Sequence, residues 1–249
     1  MKQELFLPPE SAGPNGHLKI YLLGLLDFDT GLTLQRRLVY ETRGDRSTAA
    51  LILCHHYPLI TVGRQGSYSH FRVDPEEFRN RQWPVKWVNR GGGCLLHSPG
   101  QLAIYPILPL DRLGLSVREY VTHLKEVIAR LLADFSIRCD THDSQSDVRV
   151  NNRPIATIGI SIRNWVTYYG INLNVNPCLQ MMRLIRTTED EQPMTSLVRE
   201  RRGPVNPAFV RQRLLEHFSQ VFGFSQTVVF TDHPTLTQTK SAHAIATNT

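Results

Sequence analysis

Apolar positions recur at helical spacing most clearly over residues 116–135. Tyr120, Val121, Leu124, Val127, Ile128, Leu131, Leu132 and Phe135 fall on one face there. Ser116 and Glu119 stand at the spacing of a capping box, which fixes where this helix starts. A second helix is predicted over 31–43, with Leu34, Leu38 and Val39 turned inward. A third is predicted from Asn206 as cap, through Pro207 at its first position, to Gly223 at its end. Strands are predicted at 50–54, 83–88 and 102–108. Residues 155–162 and 167–175 alternate as a strand pair, with Arg163, Asn164 and Trp165 near the turn. Strands follow one another without an intervening helix in several places, so the expected class is α+β, a mixed sheet flanked by helices.

Residues 1–17 and 229–249 read as disordered tails, the second rich in threonine and without an apolar period. One domain over 18–228 is expected between them, since no linker or internal repeat interrupts it. At 249 residues, with 41% hydrophobic and 20% charged, the chain can bury one sizeable core. It has no apolar run of the length, about 18 residues, that a membrane helix needs, and its N-terminus lacks the apolar stretch of a signal peptide. Four cysteines, Cys54, Cys94, Cys139 and Cys178, are widely spaced with no C-x-x-C, which argues against a zinc site or disulfide framework. A reducing, cytoplasmic setting is expected. The net charge of +6 comes mainly from arginine, with lysine at positions 2, 19, 86, 125 and 240 alone. That excess either steers an acidic partner or is compositional bias. The charges are scattered without interleaved aromatics, so nucleic-acid binding is not expected.

The chemistry concentrates in Arg90-Gly91-Gly92-Gly93-Cys94-Leu95-Leu96-His97-Ser98-Pro99-Gly100-Gln101, between two predicted strands. Consecutive glycines let a backbone approach a ligand closely, so this tract is a candidate pocket wall, or else a Gly-rich turn. The spacing fits neither G-x-G-x-x-G nor the phosphate loop. His97 would bond a substrate carbonyl or serve as a satisfied structural histidine. Arg90 would bind an anion or brace a strand end. Asn172 and Asn174 share one strand face and could orient the glycine tract. His55 and His56 point to opposite faces, which does not suit chelation of one ion.

This tract resembles the lipoyl(octanoyl) transferase (lipoate-protein ligase B) signature R-G-G-Q-V-T-Y-H-G-P-G-Q. Leu53-Cys54-His55-His56-Tyr57-Pro58-Leu59-Ile60-Thr61-Val62-Gly63-Arg64 is similar to the family's E-H-x-P-V-F-T-x-G-R. The stretches at 155–160, 165–176 and 195–197 continue the match in order. The resemblance implies the catalytic fold of biotin and lipoate protein ligases. It implies an octanoyltransferase that moves octanoyl from acyl carrier protein to the lysine of lipoyl domains in 2-oxoacid dehydrogenases and the glycine cleavage H protein. It further implies a monomer that uses no cofactor or metal. Substrate contact would fall to Arg90, Gly91, Gly92, Gly93, Cys94, Leu95, Leu96, His97, Thr157, Ile158, Gly159, Tyr168, Tyr169 and Gly170, converging on one elongated, largely apolar cleft.

The family's cysteine nucleophile, in P-C-G eight residues before T-S-L, falls at Thr187. Its lysine falls at Pro154, and the histidine of its Y-H-G falls at Tyr169. A threonine hydroxyl needs a strong general base, and Pro154 offers none. Either the nucleophile has moved, to Cys94 or Cys178, or the chain is a catalytically inactive relative that holds an acyl chain, lipoate or a carrier protein. Lys86, on the strand leading into the glycine tract, and Arg153, beside Pro154, are the substitute cations to consider, and a guanidinium cannot act as the base. A lipoate ligase, which the G-G-G also suggests, meets the same objection at Pro154.

Overall fold

The structure is a computed structural model that describes residues 17–140, 147–187 and 191–236. In chain order its elements are β1 (His17–Leu26), α1 (Phe28–Gly44), β2 (Thr48–His56), β3 (Leu59–Val62), α2 (Pro75–Asn80), β4 (Val85–Trp87), β5 (Cys94–His97) and β6 (Gln101–Ile107). There follow α3 (Leu110–Leu113), α4 (Val117–Asp134), β7 (Asp147–Val150), β8 (Arg153–Arg163), β9 (Val166–Asn174), α5 (Leu179–Met182), α6 (Leu197–Arg201), α7 (Pro207–Phe222) and β10 (Gln226–Phe230). Seven strands form one sheet in the order β10-β1-β2-β6-β9-β8-β7, and β4-β3-β5 form a smaller one. The pairs β10–β1 and β1–β2 are parallel, whereas β2–β6, β6–β9, β9–β8 and β8–β7 are antiparallel. A mixed sheet flanked by helices is therefore the architecture, as the interleaved pattern predicts.

The two faces of the large sheet are covered differently. Helices α4 and α7 cover one, with Leu124, Ile128, Leu131, Leu214 and Phe218 packed on Leu53, Leu102, Ile104, Ile171 and Leu173. Full burial of such side chains contributes roughly 1.5–3 kcal/mol each before entropy is counted. The other face carries α1, through Leu34, Leu38 and Val39, and beside it the small sheet. These two neighbours meet at Phe28, Leu32, Leu59 and Tyr169. The caps act as the sequence indicates. The Ser116 hydroxyl accepts from Glu119 N at 3.3 Å, and the Glu119 carboxylate accepts from Ser116 N at 2.8 Å. Asn206 Oδ1 accepts from Ala208 N at 2.9 Å, and Gly223 ends α7 at φ 74°. Asn164 and Trp165 turn the β8–β9 hairpin with positive φ at both positions, the twist that suits a two-residue connection.

Both expected tail boundaries move. Residue 17 already belongs to β1, a strand the apolar pattern leaves unassigned. At the other end β10 carries the ordered chain past 228, Phe230 stacks on Tyr21 at 5.2 Å, and Leu236 is buried against the α1 layer. Strand β10 is exposed along its length, so its sequence shows no buried alternation. The expected tails at 1–16 and 237–249 lie outside the described residues. Among those described, no helix is long and apolar enough to cross a membrane.

Candidate functional site

The glycine tract is clasped from both sides. On one side the segment after β3 grips it: Gly63 N donates to Gly93 O at 3.1 Å, Arg64 N to Arg90 O at 2.9 Å, and Gln65 N to Gly92 O at 3.1 Å. Gly92 N in turn donates to the Gln65 side chain at 2.8 Å. On the other side Gly91 N donates to Ile160 O of β8 at 2.9 Å. A Cβ at Gly159 would stand 2.9 Å from Gly91 O and 3.0 Å from Arg90 Cδ, so the close approach requires glycine there. Gly92 itself sits at φ 81°.

Arg90 is a brace. Its guanidinium donates to Thr61 O at 3.0 Å, to Thr61 Oγ1 at 2.7 Å and to Gly91 O at 3.0 Å. Burial pulls its pKa down to about 10. Behind it lies His97, whose Nε2 shares a 3.0 Å hydrogen bond with Thr61 Oγ1. Burial, then the neighbouring His56 and Arg90, hold the His97 imidazole well below the usual histidine range. His56 is likewise neutral, pushed down to about 4 chiefly by burial. Its Nδ1–H donates to Leu26 O at 2.8 Å, which leaves Nε2 to accept from the Tyr105 hydroxyl at 2.8 Å.

The facing wall comes from the segment after α5. Arg186 N donates to His70 O at 2.7 Å and Arg72 N to Leu184 O at 3.0 Å, so 184–187 runs along 70–72 as a short antiparallel ladder. A Cβ at Gly93 would stand 3.2 Å from His70 Nε2 and 3.8 Å from Thr187 O. Thr187 and His70 therefore both border Gly93. His70 is a site neighbour that the sequence reading missed. The available signal was Ser67-x-x-His70, because Ser67 N donates to His70 Nδ1 at 3.3 Å in a capping-box arrangement. Thr188, next to Thr187, lies outside the described residues.

Between the walls is a cavity of about 40 Å³, lined by Arg90, Gly92, Gly93, Cys94, Leu95, Thr157, Ile158, Gly159 and Thr187, with Asp147 and Asn172. Liquid water occupies about 30 Å³ per molecule, so this space is small in the conformation described, and an acyl chain there would have to move part of its lining. Arg90 Nε, Thr157 Oγ1 and Asp147 Oδ1 are buried without a hydrogen-bond partner among the described residues. Such groups are costly to leave unpaired, so the cavity calls for a polar guest. The expected single elongated apolar cleft is corrected on this point. The loop is held against β8 by the Gly91–Ile160 bond, and Arg90 is one of the residues that line the cavity.

Several expected members sit elsewhere, Gly91 among them. Tyr168 and Tyr169 open into a different cavity of about 410 Å³ with Leu32, Arg36, Trp87 and Arg163. Tyr169 holds φ 56°, its N–H donating to the buried Gln35 side chain at 2.8 Å. Gly170 lies inside the sheet, where a Cβ would meet Ile104 O at 2.3 Å. Leu96 and His97 are buried behind the cavity rather than lining it.

Cys94 borders the cavity, with its thiol donating to Ser67 O at 3.5 Å, and burial pushes that thiol up. Cys178 is exposed at the cap of α5. Lys86 pairs with Asp29 of α1 at 2.6 Å, and Arg153 pairs with Glu200 of α6 at 2.9 Å. Arg153 therefore does not carry its charge to the cavity. Pro154 is buried and accepts from Thr195 N at 2.9 Å through its carbonyl. Asn174 orients this same triplet segment instead of the glycine tract: its Nδ2 donates to Thr195 O at 3.0 Å, while Gln101 donates to its Oδ1 at 2.9 Å.

With this geometry in hand, the comparisons agree with one another. The family described as "Lipoyl protein ligase A/B catalytic domain" matches residues 27–219. An octanoyltransferase of Syntrophobacter fumaroxidans is 33% identical over 201 residues, covering 80% of this chain and 88% of that protein. Among solved structures, lipoate-protein ligase A bound with ATP has TM-score 0.68 at 15% identity, covering 90% of this chain and 92% of that one. A biotin protein ligase from Aquifex aeolicus, in complex with biotin and ATP, has TM-score 0.50 at 12% identity, covering 82% and 70%. At these identities the two structures are similar to this chain in fold alone.

Proposed function

Because the chain belongs to the lipoyl protein ligase A/B catalytic domain family, we propose that it serves protein lipoylation as an octanoyltransferase-type domain. In this reading it receives an octanoyl group from acyl carrier protein and delivers it to the lysine of lipoyl domains, those of 2-oxoacid dehydrogenases and of the glycine cleavage H protein. It works in the cytoplasm, as a monomer without a cofactor. The observation that carries the reading is convergence: Gly92–Gly93, Thr157–Gly159 and Thr187 come from three distant segments and border one small cavity with unpaired polar groups among the described residues.

Transfer through a thioester needs a thiolate to attack the carbonyl and expel the carrier's thiol, and then a lysine amine to take the acyl group. Cys94 is the thiol at this cavity. Burial raises its pKa, so it rests protonated at neutral pH until a base or a bound substrate changes its surroundings. That observation, with Thr187 and Pro154 at the reactive positions, favours a second reading: a catalytically inactive relative that holds an acyl group, lipoate or a carrier protein and leaves transfer to another protein.

Intact-mass spectrometry after incubation with octanoyl acyl carrier protein separates the two. An octanoyl adduct that disappears in Cys94→Ser supports transfer through Cys94. A saturable complex without an adduct supports holding. Neither adduct nor complex would remove both readings.

A further inference from the structure

A second cavity, of about 380 Å³, opens on the opposite face of the large sheet, between the end of β1, the Pro99–Gly100 turn and the first turns of α7. It shares no lining residue with the glycine site. Leu102, Val175 and Val210 are buried along its walls, and Leu25 stands at its mouth 46% exposed. His55 is fixed there by a 2.8 Å bond from Nδ1 to the Gln101 carbonyl oxygen. Gly100, at φ 87°, ties the floor together: its carbonyl accepts from Val175 N at 3.1 Å and Asn176 N at 2.9 Å.

The charge pattern of this cavity is one-sided. Arg211 lines it, half-buried, and makes no ion pair or hydrogen bond among the described residues, which leaves its guanidinium available to a guest. No aspartate or glutamate lines the cavity. A cationic guest would meet only repulsion, and a polar peptide would find few partners for its backbone groups. An anion with an apolar tail satisfies both halves: the tail covers the aliphatic walls, and a carboxylate takes two parallel bonds from the guanidinium. The volume falls within the range of about 300–1,000 Å³ typical of small-molecule sites.

We propose that this cavity binds a medium-chain aliphatic carboxylate, with Arg211 on its head group and Leu102, Val175 and Val210 along its tail. The site is independent of any transfer at the glycine loop.

The test is calorimetric titration of the full chain with octanoate and with methyl octanoate, alongside three variants checked for folding by circular dichroism. Octanoate should bind saturably. Arg211→Glu, a half-buried rim change, should weaken it by about tenfold or more, the scale of a lost charge-assisted contact. Methyl octanoate should bind the unmodified protein about as weakly as octanoate binds Arg211→Glu. Val210→Trp, which fills the cavity, should abolish binding, while Thr187→Trp at the glycine site should leave it unchanged. The proposal is overturned if octanoate fails to bind at millimolar concentration. It is equally overturned if methyl octanoate binds as well as octanoate, or if Thr187→Trp abolishes binding while Arg211→Glu does not.

Discussion

The two walls of the glycine-lined cavity contrast. On one wall, Arg90 to Leu95 and Thr157 to Gly159 are locked by backbone bonds to Gly63, Gln65 and Ile160, and glycine stands wherever a Cβ would collide. On the other stands Thr187, with Pro154 on β8 outside the cavity lining; these are the positions at which the family resemblance would put a thiol and an amine. The first wall is held by the packing of the fold, because any side chain at Gly159 disturbs it. The second shows no such collision: Pro154 accepts from Thr195 N, and 184–186 pairs with 70–72. Packing thus constrains the glycine wall more tightly than the positions opposite it.

The contrast is broken most severely by restoring the second wall. Thr187→Cys combined with Pro154→Lys is expected to raise octanoyl transfer to a lipoyl domain by about a hundredfold or more over the unmodified protein, the usual contribution of a placed base and nucleophile. Each change alone should do little, and Tyr169→His is the third substitution to add. If the unmodified chain already matches the double variant, the reactive wall lies elsewhere, with Cys94 the first residue to replace.

Crowding the first wall comes next. Gly159→Val places a branched side chain against Gly91 O and Arg90 Cδ. It should cost about 3 kcal/mol, read as a lower urea midpoint, since overpacking at a closed contact forces the backbone apart. An unchanged midpoint would mean that the loop does not rest on β8 in solution.

The neutral histidines behind that wall give a pH signature. His56 is held at about 4 when folded against an ordinary 6.5. Between those values the unfolded chain takes up a proton that the folded chain refuses. Stability is therefore full above pH 6.5 and falls as the pH drops towards 4, by about 2 kcal/mol at pH 5 from this group. His97, shifted the same way, adds to the fall. Denaturant titrations from pH 7 to 5 should show it, and His56→Asn should flatten the slope. A slope unaltered by that variant would place the ring in water.

The smallest effect concerns the support beneath Pro154. Arg153→Ala removes the pair to Glu200, whose arginine is 26% exposed. A partly screened pair of this kind contributes about 1 kcal/mol, a melting shift of roughly 3 °C. A loss several times larger would mean that α6 depends on it.

Much of this was legible in the sequence because local rules and tertiary packing agree. The α4 period and its capping box, the Asn206–Pro207 start of α7 and the 155–175 strand pair all appear where the pattern puts them. The glycine tract and Thr187 likewise border a single cavity. What escaped depends on contacts that local patterns do not encode. Strand β10 is exposed and pairs in parallel with β1, distant in sequence, so neither announces the other. His70 is one histidine in a polar stretch, and only the 184–187 ladder brings it to Gly93. Tyr169 turns to the α1 side because its backbone sits at positive φ, which strand alternation does not anticipate.

That bond between Gly91 N and Ile160 O acts as a latch. While it is closed, the Gly91 amide is shielded and its proton should trade slowly with solvent deuterium. A guest that pushes the Gly91 loop off β8 gives up a hydrogen bond worth about 1 kcal/mol net. Deuterium uptake at that one glycine then separates guests that displace the loop from guests that settle beside it.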